Sequence, residues 1–280
     1  MNVPAYKRLG RVLAAGMVLL TLGGCAAQGG GEAVSQPDVP SQSVTQPPAQ
    51  PSVTTYPFMA GTVEENVITV IDSGVDGPTV FIAAGIHGDE VAAWMAGDKL
   101  EEELQIARGK VYILSPVNLS GSLAETRFVG NSGDMNRVFP GDANSTDMAT
   151  LIAAALFHEI ETIQPDLVLD LHEARVDLGG GSTGGGLANT LIFTHEEKLS
   201  EMMFDFTLAN EAGQVLDRKF GLTSPGVTGS FNRVVSDRLD VPVITTETWR
   251  KLEIPNRIDQ QIEIVNFCLN YLGMMDSITE

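Results

Sequence analysis

From Tyr56 onward the hydrophobic and polar positions fall into two alternating patterns. Short apolar runs, "NVITVIDSG", "TVFIAAG", "KVYILSP", "DLVLDL", "LIFTH" and "VPVITTE", are rich in Val, Ile and Leu and bounded by Gly, Pro or Asp, which predicts strands. Several are apolar at consecutive rather than alternate positions, so both of their faces are expected to be covered. The turn Val75-Asp76-Gly77-Pro78 separates the first two runs. Between the runs, apolar residues recur at helical spacing near 89–107, 146–163 and 197–213, and again from about 257 to 274. Strands that alternate with helices predict an α/β fold, a mostly parallel central sheet flanked by helices.

The first 55 residues follow neither pattern. Lys7, Arg8 and Arg11 precede the apolar run Val12 to Leu22, with no acid in residues 1–24. That run is too short to span a bilayer and has the length of a secretory signal core. Leu22-Gly23-Gly24-Cys25 resembles the lipobox of bacterial lipoproteins, which implies lipid on Cys25 and cleavage before it. Residues 25–55 carry Pro37, Pro40, Pro47, Pro48 and Pro51 among Gln, Ser, Thr and Gly, without an aromatic, a composition that predicts an extended tether. The expected organisation is a signal peptide over 1–24, a tether over 25–55 and one catalytic-size domain over 56–280, exported and lipid-anchored to the cell envelope.

Composition narrows the partners. A chain of 280 residues, 43% hydrophobic, suits one large domain. With 17 basic and 36 acidic residues the net charge is −19, which argues against nucleic acid and against adhesion to anionic lipid. Membrane contact is therefore expected only through Cys25. Lipid on Cys25 would leave Cys268 without a disulfide partner, and its place in an apolar helical pattern predicts a small packed hydrophobe. The piece "LGGGSTGGGLANT" holds no cation and does not join a strand to a helix, so it reads as a loop beside the site rather than a phosphate cradle.

The chemistry gathers at one edge of the expected sheet. In "AAGIHGDEVAAW", His87 and Glu90 follow an apolar run and precede a helix; alone, such a pair more often caps and solvates a helix start than ligates a metal. His172 directly follows "DLVLDL" and Glu247 ends "VPVITTE", so all four lie where open α/β sheets collect functional groups, at the carboxyl ends of strands. Two imidazoles and one carboxylate are the donors of a catalytic Zn²⁺ that keeps a position open, and such an ion brings the pKa of water towards about 7. A second carboxylate must then carry a proton, a part that Glu247 fits. His158 and Glu161 repeat the spacing mid-helix, far from any strand end, and read as a solvated face; His195 reads as a polar strand terminus.

Four runs in order, "GPTVFIAAGIHGDE", "GDMNRVFPG", "LVLDLHEA" and "VPVITTET", resemble the succinylglutamate desuccinylase and aspartoacylase family, within the wider carboxypeptidase-A-like zinc hydrolases. The resemblance covers roughly Val67 to Arg250. It implies a zinc carboxypeptidase-like fold, one Zn²⁺ held by His87, Glu90 and His172, and Glu247 as general base and acid. It further implies Asn136 with Arg137 as the clamp for a substrate carboxylate, and Arg127 as the group that polarises the scissile carbonyl. A guanidinium matches a carboxylate with two parallel donors, which agrees with those roles. Asp134 is open to two roles, an acceptor for a ligand imidazole or a turn cap.

Two departures from the wider pattern bear on substrate. No tyrosine lies between Tyr112 and Tyr271, which disfavours a peptidase of the digestive type, and the short stretch after Glu247 implies a more open pocket than that of aspartoacylase. The resemblance thus implies a zinc-dependent amide hydrolase, deacylase-like, acting on a small acyl-amino-acid or peptide with a carboxylate near the scissile bond. The alternatives are an envelope carboxypeptidase or amidase on peptidoglycan stem peptides, and a non-catalytic ligand-binding surface lipoprotein. The second has no use for a proton carrier beside a metal.

Overall fold

The computed structural model describes residues 50–175 and 187–276; the expected signal peptide, Cys25 and most of the expected tether lie outside them. One eight-stranded sheet organises the rest. Its strands are β1 (Ser52–Phe58), β2 (Asn66–Asp72), β3 (Thr79–Ala84), β4 (Lys110–Leu114), β5 (Leu167–Ala174), β6 (Thr190–Phe193), β7 (Gly221–Thr223) and β8 (Val243–Trp249). The helices are α1 (Val91–Glu103), α2 (Leu119–Ala124), α3 (Met148–Ile163), α4 (Glu196–Glu211), α5 (Phe231–Leu239) and α6 (Ile254–Tyr271), with a 3₁₀ turn at Met135–Arg137. Among the described residues no helix is long and apolar enough to cross a membrane.

The strand order is β1-β2-β4-β3-β5-β8-β6-β7. The centre, β4-β3-β5-β8, is parallel throughout. The sheet is mostly parallel, as expected, but not purely so, and its margins are mixed: β1 and β2 enter as an antiparallel pair against β4, and the parallel pair β6 and β7 runs antiparallel to β8. The central strands β3, β5 and β8 are buried at most consecutive positions, as strands covered on both faces are. One correction concerns the tether. β1 begins at Ser52, and Ser52 to Thr55 pair with Asp72 to Thr69, so the folded part reaches into the segment expected to be extended. Its positions are mostly exposed, and an edge strand of "SVTTYPF" carries no apolar signal.

Alternation along the central strands sorts the core into two layers. Val80, Ile82, Leu169 and Ile244 point to one face, packed under α1, α4 and α6 through Ala96, Phe206 and Val265. Phe81, Ala83, Val168 and Val243 point to the other, packed under α3 and α5 through Ile152 and Phe231. Cys268 is fully buried within the first layer, and burial pushes its thiol up to about 12. This parity decides where each residue at the strand ends projects.

Candidate metal site and cleft

β3 ends at Ala84, and Gly85 turns the chain with φ +76°, a conformation that L side chains rarely adopt. The loop that follows sets His87 and Glu90 just ahead of α1, with Glu90 at the N-cap position but making no side-chain cap. Gly88 allows this path, because a Cβ there would overlap the backbone of Gly121 and Ser122 in α2. From the other side of the site, His172 on β5 and Glu247 on β8 are direct partners in parallel register. Both share parity with Val168 and Val243, so they project towards the α3 and α5 face.

These elements bring one donor atom each from His87, Glu90 and His172 to within 4.8 Å of one another. Ligands of a tetrahedral ion at zinc bond lengths of about 2.0–2.2 Å stand about 3.4 Å apart, so small side-chain adjustments satisfy the set. His87 Nδ1 lies 2.8 Å from Glu90 Oε1 and His172 Nδ1 lies 2.7 Å from Glu90 Oε2. The opposite ring nitrogens face carboxylates: His87 Nε2 is 3.0 Å from Asp134 Oδ1, and His172 Nε2 is 3.1 Å from Asp170 Oδ1, the latter too far off axis for a hydrogen bond. An imidazole backed by a carboxylate on one nitrogen, with the other turned to a centre shared with further donors, is the form that metal ligation selects. His87, Glu90 and His172 are 3%, 2% and 1% exposed, a burial that ionised groups tolerate only in compensated clusters.

The charges lean on one another. Burial opposes it, but the two imidazoles hold the Glu90 carboxyl well below its ordinary range. Burial likewise opposes the charge on His172, which Asp170 and Glu90 raise well above the usual imidazole value. Asp134 is held low against burial by the hydrogen bonds of His87 and Arg127. Glu247 moves the other way: loss of solvent at the cleft floor, reinforced by Glu90 and Asp170 against the pull of His172, pushes it up to about 8.

A cleft of about 370 Å³ opens over these groups, walled by Arg127, Asn136, Arg137, Asn232 and Arg250 among others. Residues 76–217 match the succinylglutamate desuccinylase/aspartoacylase catalytic domain. The chain belongs to this family. An N-alpha-acetyl-L-2,4-diaminobutyric acid deacetylase of Halomonas elongata is 34% identical over 108 residues, 38% of this chain and 31% of that enzyme, so the likeness spans about a third of the relative's length. A succinylglutamate desuccinylase/aspartoacylase from Rhodobacter sphaeroides superposes with TM-score 0.55 at 25% identity, covering 81% of this chain and 66% of that one. Two others share the fold: a succinylglutamate desuccinylase from Silicibacter sp. TM1040 (TM-score 0.60, 20% identity, 84% and 71% covered) and the cell shape determinant Csd4 of Helicobacter pylori (TM-score 0.64, 18% identity, 82% and 57% covered).

Within this desuccinylase/aspartoacylase domain, the seven residues singled out in the sequence gather at one edge of the sheet. Arg127 donates to Glu90 Oε1 at 3.2 Å and to Asp134 Oδ2 at 3.0 Å. Asn136 and Arg137 sit on the 3₁₀ turn, and Asn136 Oδ1 accepts from Phe231 N at 2.7 Å, which ties that turn to the start of α5. Asp134 fills both roles left open for it, since its Oδ1 accepts from Asn136 N as well as facing His87. His158 and Glu161 lie on an exposed helix face, and His195 stands at the N-cap position of α4 without a side-chain cap, its ring facing Glu197. Of the piece "LGGGSTGGGLANT", residues 178–186 lie outside the described residues.

Several site residues are not evident from the strand-end argument. Asp170 was legible in principle, two residues before His172 and hence on the same face of β5. Asn232, which donates to Thr245 Oγ1 at 2.9 Å, reaches Asp170 through that hydroxyl, which donates to Asp170 Oδ2 at 2.9 Å. Beneath the site, Glu173 accepts from Ala92 N at 2.9 Å and from Arg257 at 2.6 Å, joining β5 to α1 and α6. Asp89 holds Arg175 and Arg250. Those links join residues far apart in the chain, and no local pattern announces them.

Proposed function

We propose that this family member is a zinc-dependent amide-bond hydrolase, deacylase-like, acting on a substrate with a carboxylate near the scissile bond. The observation that carries the proposal is the buried donor set of His87, Glu90 and His172 beside Glu247 at the cleft floor. When bound there, Zn²⁺ would supply Lewis acidity towards carbonyl and water and a positive charge that lowers the proton affinity of Glu247. Asp134 and Asp170 orient the two imidazoles from behind. Arg127, held by Glu90 and Asp134 at the cleft wall, offers its remaining donors to the oxygen on which charge develops. Arg137, exposed in the cleft and paired with no carboxylate among the described residues, binds the substrate carboxylate with Asn136 beside it. Glu247, in register with His172 at the cleft floor, takes a proton from the attacking water and returns it to the leaving nitrogen.

The test uses the purified chain with N-acyl amino acids, with and without chelator, following amine release by mass. Chelator-sensitive hydrolysis supports the proposal; no hydrolysis of any carboxylate-bearing amide overturns it. His172→Ala should bind substoichiometric zinc, measured by elemental analysis, and undiminished zinc would remove the ligand assignment. A second reading, hydrolysis of peptidoglycan stem peptides, is favoured by the shared fold with Csd4, described in one structure as a D,L-carboxypeptidase and seen with a bound tripeptide in another. Adding muropeptides to the panel separates the two. Export and lipid attachment at Cys25 are proposed from the sequence alone, and Cys25→Ser that still partitions with membranes after cleavage would refute the anchor.

A further inference from the structure

α1 begins without the cap that helix starts ordinarily carry. The first N–H groups of a helix have no partner inside it, and the residue at the N-cap usually offers one from its side chain. Glu90 holds that position and makes no side-chain cap. Its carboxylate is turned the other way: Oε1 faces His87 and Arg127, and Oε2 faces His172 and accepts from Glu173 N. Two demands therefore meet on one carboxylate, that of the helix start and that of the donor set.

Glu173 meets the first demand from another element. It follows His172 on β5 and so projects to the opposite face, under α1. Its Oε2 accepts from the N–H of Ala92, the second residue of α1, at 2.9 Å. Its own backbone N–H donates to Glu90 Oε2 at 3.0 Å. One residue thus grips the start of α1 twice, at the carboxylate of Glu90 and at the backbone two residues further on. Ala92 is fully buried, so its N–H has no water to turn to and depends on this acceptor.

α6 supports the grip from behind. Arg257 and Gln261, four residues apart and both buried, face the end of β5. Arg257 donates to Glu173 Oε1 at 2.6 Å and balances its charge, without which a buried carboxylate would be costly. Gln261 Nε2 donates to His172 O at 2.7 Å, which holds the backbone between the imidazole and Glu173.

We infer that Glu173 is a positioning residue for the metal ligand Glu90: by capping α1 from β5 it releases the Glu90 carboxylate from the helix start and keeps it turned to His87 and His172. The inference rests on the proposed donor set and deepens it. Without an acceptor from Glu173, the buried N–H of Ala92 is left to the nearest carboxylate, that of Glu90, and the ligand is drawn away from the two imidazoles.

The experiment crosses charge against reach and reads Zn²⁺ affinity on the purified full chain, by competition with a chromophoric chelator. Glu173→Asp keeps the charge beside Arg257 but shortens the side chain, and β5, paired with β8 through Ala174, cannot follow it. This variant should bind Zn²⁺ about ten- to a hundredfold more weakly than the wild type, and the absorption bands of its Co²⁺ form should shift because a ligand has moved. Glu173→Gln combined with Arg257→Met removes the ion pair but keeps an oxygen within reach of Ala92 N; the paired change avoids a buried guanidinium without a counter-ion. It should keep the wild-type affinity and the wild-type Co²⁺ spectrum. The melting temperature of each metal-free chain checks folding. If Glu173 served the fold only through its ion pair, the loss would follow the charge, and undiminished affinity in Glu173→Asp, or weakened affinity in a folded double variant, overturns the inference. Should the double variant not fold, Glu173→Asp decides alone. Zn²⁺ affinity that follows reach, in a chain that hydrolyses no carboxylate-bearing amide, would sustain the inference and sink the proposed hydrolase. Chelator-sensitive hydrolysis with equal Zn²⁺ affinity in all three chains would do the reverse, and a wild type that binds no Zn²⁺ overturns both.

Discussion

Glu247 is the residue at which position and chemistry separate most cleanly. Glu247→Gln keeps the shape and a hydrogen-bonding oxygen while removing the proton acceptor, so zinc content and melting temperature should hold while kcat falls by about 10²–10⁴-fold. Turnover at the wild-type rate would mean that another group carries the proton. Cys268 illustrates the opposite case, a reactive residue type made inert by place. With its thiol buried and pushed up to about 12, a Cys25→Ser chain should show no labelling by a thiol reagent at pH 8 until denaturant is added. Rapid labelling in the native state would contradict that packing. At this scale the clustering of His87, Glu90 and His172 was legible because histidines and acids at apolar strand ends are costly without a partner. Arg250 and Arg257 were not, because an arginine outside a motif looks the same whether it faces water or a buried carboxylate.

At the scale of elements, α3 shows how a cap holds a layer in place. Asp147 accepts from Thr150 N at 3.0 Å and from the Thr150 hydroxyl at 2.9 Å, and hydrogen bonds to Ser132 and Thr150 lower its pKa from the ordinary 3.8. Asp147→Ala should cost about 1 kcal/mol by urea denaturation at pH 7. A lowered acid pKa stabilises the folded state fully above the unfolded value and loses that contribution as pH falls through the folded one. The gap between wild type and variant should therefore shrink below pH 3.8; a gap independent of pH would assign the loss to something other than the ionised cap. The long helices and central strands were legible from periodicity, since each buries a full face. β1, β7, α2 and α5 were missed. β1 is mostly exposed, β7 spans three residues, and α2 and α5 are short, so none carries enough apolar repeats to stand out from a loop.

For the molecule as a whole, β1 marks where the folded part begins. A chain cut to residues 56–280 deletes Ser52 to Thr55, four of the seven pairs that cover β2, and exposes that edge. It should unfold at lower denaturant and aggregate more readily than a chain starting at residue 50; equal midpoints would show that these pairs contribute nothing. The sequence by itself determined the α/β class, the central strands, the family and the residues clustered at the strand ends, because burial periodicity and the types of chemistry-bearing residue are local facts. Only the tertiary structure decided the antiparallel margins, the pairing of Glu173 with Arg257 and the sharing of Asp89 by Arg175 and Arg250. Those depend on which strands become neighbours and on which face each end projects, and the ionic contacts among them, made between residues more than eighty positions apart, are set by packing and register rather than by any local run of the chain.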